Sequence, residues 1–226
     1  MTEHPLRRRV VAEALGTGLL VAAVVGSGIM AERLAGGNIA LALLANTVAT
    51  GAVLVALISA FGSTSGAHFN PAVSLAFGFR KLMPWHEVAR YITAQFVGAV
   101  WGTLLAHVMF GKEMYSFSHH ERSGLGQFVS EFVATFGLLC VIWGCLRVKS
   151  AMAVPVGVAS YIIAAYWFTA STSFANPAVT VARSITDSFA GIRPLDVPAF
   201  LLAQTLGAVV ATWLFEWLLQ EPLPSK

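Results

Sequence analysis

Two stretches of this sequence hold residue types that can orient a polar solute. They are Gly66-Ala67-His68-Phe69-Asn70-Pro71-Ala72-Val73 and Ser173-Phe174-Ala175-Asn176-Pro177-Ala178-Val179-Thr180. An asparagine side-chain oxygen readily accepts a bond from one of the unpaired N–H groups that open a helix. Proline suits the first helical position, where its missing N–H costs nothing. Asn70-Pro71-Ala72 and Asn176-Pro177-Ala178 therefore each predict a helix start. The run after Asn70 stays apolar through Phe79. At about 1.5 Å per residue that is roughly 13 Å, close to half the hydrocarbon core of a bilayer. Two half-helices starting near the middle of a membrane would span it together, and their positive dipole ends would converge on one spot. A lone triplet reads more simply as an ordinary capped helix. The recurrence in matching places carries the stronger reading.

Such triplets need a membrane-spanning frame, and the composition supplies it. The chain has 226 residues, 57% hydrophobic and 11% charged, against about 25% charged in a soluble domain. Mean hydropathy is +0.72. An integral membrane domain is predicted, with spans over 10–31, 39–61, 87–110, 127–146, 151–169 and 196–219, and half-helices over 71–79 and 177–186. The first apolar run follows Arg7-Arg8-Arg9 and is long enough to span, so no cleavable leader is expected. Cys140 and Cys145 share one apolar segment and read as small core residues. The Gly/Ser/Thr stretches 62–66 and 169–173 are too irregular to face lipid. Backbone of that kind is tolerated at membrane depth only inside protein or along a watery cavity. The carbonyls of Gly66, Ala67, His68, Thr172, Ser173 and Phe174 are thus candidate pore-lining groups.

The net charge of +3 reads as topology rather than as a nucleic-acid footprint. With the N-terminus inside, the inner face collects Arg7, Arg8, Arg9, Arg80, Lys81, Arg90, Arg147, Lys149 and Lys226. The outer face holds Arg33, Lys112, Arg122, Arg183 and Arg193. That bias predicts both termini in the cytoplasm. The halves also repeat. Glu13 in Ala12-Glu13-Ala14 answers Glu131 in Ser130-Glu131-Phe132, and Gln95 in Ala94-Gln95-Phe96-Val97-Gly98-Ala99 answers Gln204 in Ala203-Gln204-Thr205-Leu206-Gly207-Ala208. Three spans per half insert the second copy upside down. Residues 1–226 therefore read as one channel domain, with inverted repeats over 10–110 and 127–219.

These features resemble the aquaporin and aquaglyceroporin family, the major intrinsic proteins. The resemblance covers all six spans, both Asn-Pro-Ala triplets, both glutamates and both Ala-Gln-x-x-Gly-Ala motifs. It implies an all-α membrane fold: a six-transmembrane helix bundle with two re-entrant half-helices and one pore per subunit. It also implies a homotetramer in the lipid bilayer and a passive channel for small neutral solutes. Glu13 and Glu131 are ionisable groups inside spans, so proton coupling is one reading. The resemblance favours another, in which each braces the unwound loop of its half. Gln95 and Gln204 are expected to add interhelical polar contacts, and His68 to pack beside the first triplet. No nucleophile–base pair is evident, so an enzyme is not expected. No cofactor is implied. His119-His120 lacks further ligand spacing, so no metal site is expected either.

One departure bears on selectivity. Where water channels and glycerol facilitators usually carry Arg after the second triplet, this chain has Val179, and Arg183 stands one turn further on. Family spacing places the rest of the constriction at Thr50, Ala164 and Ser173. A ring of Thr50, Ala164, Ser173 and Val179 would be wide, weakly polar and neutral, with neither aromatic nor charge. That resembles the aquaglyceroporins associated with bacterial arsenic resistance. It implies passage of arsenous acid and methylated arsenicals through a bacterial cytoplasmic membrane. A water or glycerol facilitator with an atypical filter is the alternative, and a proton-coupled transporter is the alternative of another class.

Overall fold

The structure, a computed structural model, describes residues 4–218. It is all helical there: α1 Leu6–Leu34, α2 Ile39–Ser65, α3 Pro71–Phe79, α4 Trp85–Phe110, α5 Leu125–Cys145, α6 Ala153–Phe168, α7 Pro177–Arg183 and α8 Val197–Leu218, the last entered through a short turn at Pro194–Asp196. Five segments are long and apolar enough to cross a membrane, and α6, with 16 residues, is shorter. At 1.5 Å per residue α6 covers about 24 Å.

The chain alternates direction, so the bundle has a near face, where α1 begins, and a far face, where α1 ends. Half-helix α3 runs to the near face and stops at Arg80, whose guanidinium lies 5.0 Å from the Trp143 ring near the end of α5. Half-helix α7 runs to the far face, where Ser118 N–H donates to the Ser184 carbonyl at 3.0 Å. The two begin at the centre, back to back, as an inverted repeat demands.

Several boundaries differ from the expected ones for identifiable reasons. Helix α7 ends at Arg183 instead of 186. Its next carbonyls, Ser184 and Ile185, are taken by N–H groups of Ser118 and Ser116 in the long connection. Helix α1 begins at Leu6, ahead of the expected start of the first span at 10. Arg9 is buried there, donating to the Tyr91 hydroxyl and pairing with Glu87. Arg183, counted as an outer-face charge, is also buried, at 2% exposure. Lys226 and the end of the sixth expected span at 219 lie outside the described residues.

Small residues set the interhelical distances. A Cβ on Gly98 would stand 2.2 Å from the Ala14 carbonyl oxygen, and one on Gly102 2.2 Å from that of Gly18. A Cβ on Gly207 would come 2.5 Å from the Phe132 carbonyl oxygen. Helix α4 thus lies on the backbone of α1, and α8 on that of α5. Between helices in lipid, such close approach replaces the hydrophobic driving force. The obstacles are backbone atoms, so the helices themselves must part to admit a side chain. Gly102→Val is expected to destabilise by about 1–3 kcal/mol and to lower the yield of monodisperse detergent-extracted protein. Gly62→Val, at a glycine with open space around its Cβ position, is the control and should extract like the parent.

Candidate pore and its polar spine

The site begins with two helix caps. The Asn70 side-chain oxygen accepts from Ala72 N–H at 2.9 Å. That of Asn176 accepts from Ala178 and Val179 N–H at 3.0 and 3.3 Å. Each side-chain amide then reaches across to the other half. Asn70 Nδ2 donates to the Ala175 carbonyl at 2.7 Å, and Asn176 Nδ2 to the Phe69 carbonyl at 2.8 Å. The two half-helices are thereby joined start to start by a reciprocal pair of bonds. Each amide nitrogen carries two hydrogens. One is used in the cross-bond, and both asparagines line the cavity described below.

The loops leading into the caps repeat each other residue for residue. Ala67 and Phe69 have φ of 50° and 47°, and their repeat partners Ser173 and Ala175 have 49° and 48°. Left-handed conformations cost non-glycine residues roughly 1–2 kcal/mol each, so something must hold them. A buried carboxylate does so in each half. Glu13 accepts four bonds, from Ser65 Oγ (2.7 Å), His68 N–H (3.0 Å), Phe69 N–H (2.7 Å) and Gln95 Nε2 (2.8 Å). Glu131 accepts four from the equivalent places: Ser171 Oγ (2.6 Å), Phe174 N–H (2.9 Å), Ala175 N–H (2.9 Å) and Gln204 Nε2 (2.6 Å). Gln95 also donates to Ser74 Oγ, and Gln204 to Thr180 Oγ1, tying each half-helix to the same network. All four of these Glu and Gln side chains are fully buried.

The repeats diverge at one carbonyl. Tyr91 Oη donates to the Ser65 carbonyl at 2.8 Å, whereas the equivalent Ser171 carbonyl accepts from Arg122 Nη1 at 3.1 Å. Arg122 comes from the long connection on the far face. It also donates through Nε to Gly191 and through its N–H to Asp196. His119 anchors the same connection to Asp187 through both its backbone N–H and its ring. These bonds hold the Asp187 carboxyl below its usual range.

A narrow cavity of about 100 Å³ follows this spine. At roughly 10–15 Å³ for each water-sized probe position, that admits a short file of small molecules. One wall is apolar: Leu20, Val24, Leu54, Ile58, Leu138, Ile142, Val158 and Ile162. The other is the unwound backbone. Gly66, Ala67, His68, Ser173 and Phe174 line it, and among the described residues their carbonyls accept no hydrogen bond. Thr172, expected beside them, does not line the cavity. Its N–H closes a turn onto the Thr169 carbonyl and keeps it against the end of α6.

The far end corrects the expected constriction. Thr50, Ser173 and Val179 line it, but Ala164 is exposed on the outside of α6. The inward stripe of α6 contains Val158, Ile162 and Tyr166. Ala164 lies two residues from each of the last two, about 200° around the helix at 3.6 residues per turn. Tyr166 takes the place instead, its hydroxyl 3.2 Å from Thr50 Oγ1. Arg183 also lines the cavity. This end therefore holds an aromatic ring and a cation, and the expectation of a wide neutral ring without either is wrong. Tyr166, Arg183 and Arg122 were missed by sequence reasoning. No sequence signal separates Tyr166 from Ala164 in so apolar a helix, but an arginine in an apolar half-helix is itself a signal of function.

Six helices, two half-helices meeting at a shared polar centre and a cavity through that centre define a membrane channel of the inverted-repeat kind. The chain belongs to the major intrinsic protein family, whose pattern matches residues 1–152. Members are channels, not enzymes. The chain is similar to aquaglyceroporin AqpS of Rhizobium meliloti (strain 1021), 56% identical over 224 residues, covering 99% of this chain and 95% of that one. It is also 30% identical over 245 residues to the probable aquaporin AqpM of Archaeoglobus fulgidus, covering 96% and 98%. Its fold matches the X-ray structure of the aquaglyceroporin from Plasmodium falciparum with a TM-score of 0.72 at 21% identity, over 94% of this chain and 96% of that one.

The four-bond carboxylates yield a direct test. Glu131→Gln keeps the size but turns an N–H₂ group toward donors, leaving buried N–H groups without acceptors. At about 1–3 kcal/mol for each stranded group, it should lower the thermal aggregation temperature of the detergent-solubilised protein. Glu131→Ala should lower it further. Unchanged transitions in both would mean the loop does not depend on this carboxylate.

Proposed function

We propose that the protein conducts small uncharged, hydroxyl-bearing solutes passively, metalloid hydroxides such as arsenous acid and methylated arsenicals among them. The observation that carries this reading is the two-faced cavity. A file of free carbonyls and two asparagine amides lies along one side, and aliphatic side chains along the other. A neutral polyol or trihydroxide exchanges its hydration for those fixed polar groups and turns its remaining surface to the apolar wall. Charged solutes cannot do so, because a bare ion in a low-dielectric passage loses far more solvation than a few carbonyls return. Val179, at the position where water channels and glycerol facilitators of the family usually carry Arg, leaves room for bulkier members of the class. Tyr166 narrows the same region, which keeps glycerol and water facilitation as a second reading. The 56% identity to an aquaglyceroporin supports the channel class and is compatible with either solute.

Proton coupling is disfavoured by the state of Glu13 and Glu131. Each already accepts four bonds in a fully buried network, and neither lines the cavity. We further propose a homotetramer in a bacterial cytoplasmic membrane, with the near face inside. The layout of lysine and arginine supports that orientation.

Light scattering of proteoliposomes challenged in turn with water, glycerol, arsenous acid and methylated arsenicals tests the reading. Entry of the neutral solutes faster than in empty vesicles, independent of a proton gradient, is expected. Uptake that saturates and follows the proton gradient would overturn it. Val179→Arg should slow methylated arsenicals more than arsenous acid, and arsenous acid more than water. An added barrier of about 1.4 kcal/mol is tenfold in rate. Equal passage of the bulky solutes by parent and variant would remove Val179 from the constriction.

A further inference from the structure

The two ends of the cavity are built on repeat-equivalent positions, yet one ends in a ring and the other in a cation. On the near side His68 lies under Phe77, ring centroids 4.4 Å apart, with Tyr91 edge-on at 5.4 Å. The repeat partners on the far side are Phe174 for His68, Arg183 for Phe77 and Phe200 for Tyr91. Phe174 meets Phe200 edge-on at 5.2 Å, and Arg183 lies over the Phe174 ring with its central carbon 3.4 Å from the centroid. The same scaffold thus carries Phe77 at one end of the cavity and a guanidinium at the other.

That guanidinium is 2% exposed and, among the described residues, pairs with no carboxylate. Its Nε donates to the Ala190 carbonyl. Its terminal nitrogens reach the Tyr166 hydroxyl, and the side chain borders the cavity beside that ring. A second guanidinium, Arg122, sits 4.9 Å from the same Phe174 ring while holding the Ser171 carbonyl. Two arginines on one aromatic ring outnumber the one carboxylate nearby, Glu131, which is spent on the loop N–H groups, and so make a local positive field. Leaving a buried charge unpaired is expensive unless water or a permeant solvates it, and here the cavity is what can.

We propose that Arg183 is the charge-selecting residue of this channel, supplying at the far mouth the fixed positive charge that Val179 does not. The N–H groups that Ala190 and Tyr166 do not use offer donors to the oxygens of an incoming neutral solute, and its charge turns cations away. Selection by size is then separate from selection by charge: Tyr166, Thr50 and Val179 set the first, and Arg183 the second. This rests on the passive-channel reading above and adds the group that discriminates.

Urea and guanidinium are planar, close in size and differ in charge, so their ratio isolates this effect. Proteoliposomes of the parent should admit urea well above empty vesicles and guanidinium far more slowly. Arg183→Gln should raise the guanidinium-to-urea ratio about tenfold or more, as expected on removing a nearby like charge from a low-dielectric passage. Should the Gln variant fail to assemble for want of the bond to Ala190, Arg183→His keeps a planar N–H donor that is a cation when protonated. Its guanidinium-to-urea ratio should climb as the imidazole loses its proton between about pH 5 and 8, guanidinium itself staying charged throughout. Guanidinium entering the parent as fast as urea overturns the inference. So does an assembled Gln or His variant with the parent's ratio at every pH. No urea entry through the parent overturns the channel reading and this inference with it.

Discussion

Everything in this protein depends on satisfying a stretch of non-helical backbone in the middle of a bilayer. No water is available there to bond an orphan N–H. Two carboxylates solve the problem by symmetry. Glu13 and Glu131 each accept two backbone N–H groups, a serine hydroxyl and a glutamine amide, and so hold the left-handed turns at residues 66–69 and 172–175. Once the N–H groups face the carboxylate, the carbonyls must face the other way, into the cavity. The asparagine cross-bonds then fix the distance between the two half-helices. A pore with a polar wall is the geometric consequence of bracing the loops from behind.

Because the bracing network repeats so closely, the places where the halves differ gain meaning. Ser74 becomes Thr180, and the network is preserved. The donor to the Ser65 or Ser171 carbonyl changes from the Tyr91 hydroxyl to the Arg122 guanidinium. On the near face, Arg9 sits behind Tyr91 and is neutralised by Glu87 at 2.9 Å. On the far face, Arg122 bonds backbone carbonyls, and its backbone N–H, not its guanidinium, meets Asp196. The scaffold is two-fold and its electrostatics are not.

The sequence disclosed what is local and repeated. Asn-Pro-Ala predicts a capped helix start by the preferences of three residues, and its recurrence in an apolar chain implies the re-entrant pair. The glycines of the Ala-Gln-x-x-Gly-Ala motifs announce close helix contacts by composition alone. What stayed hidden depends on helix phase and on distant partners. Ala164 and Tyr166 stand two residues apart in a uniformly apolar helix, and only packing against α2 and α5 decides which faces inward. The burial of Arg183 is set by the ring of Phe174 and the carbonyl of Ala190, neither of which its neighbours foretell. Arg122 lies in the connection between α4 and α5 and was counted with the outer-face charges, and it folds inward because Ser171 and Gly191 present carbonyls without other donors.

The central claim is that a preformed row of carbonyls and amides replaces the hydration of a neutral solute, so that no protein rearrangement is needed for each passage. The temperature dependence of glycerol entry into proteoliposomes tests it most directly. A fixed polar wall leaves a barrier comparable to exchanging one hydrogen bond, so an Arrhenius slope of about 5 kcal/mol is expected, with entry proportional to the glycerol gradient. A slope as steep as that of protein-free vesicles, or entry that levels off as glycerol rises, would contradict it.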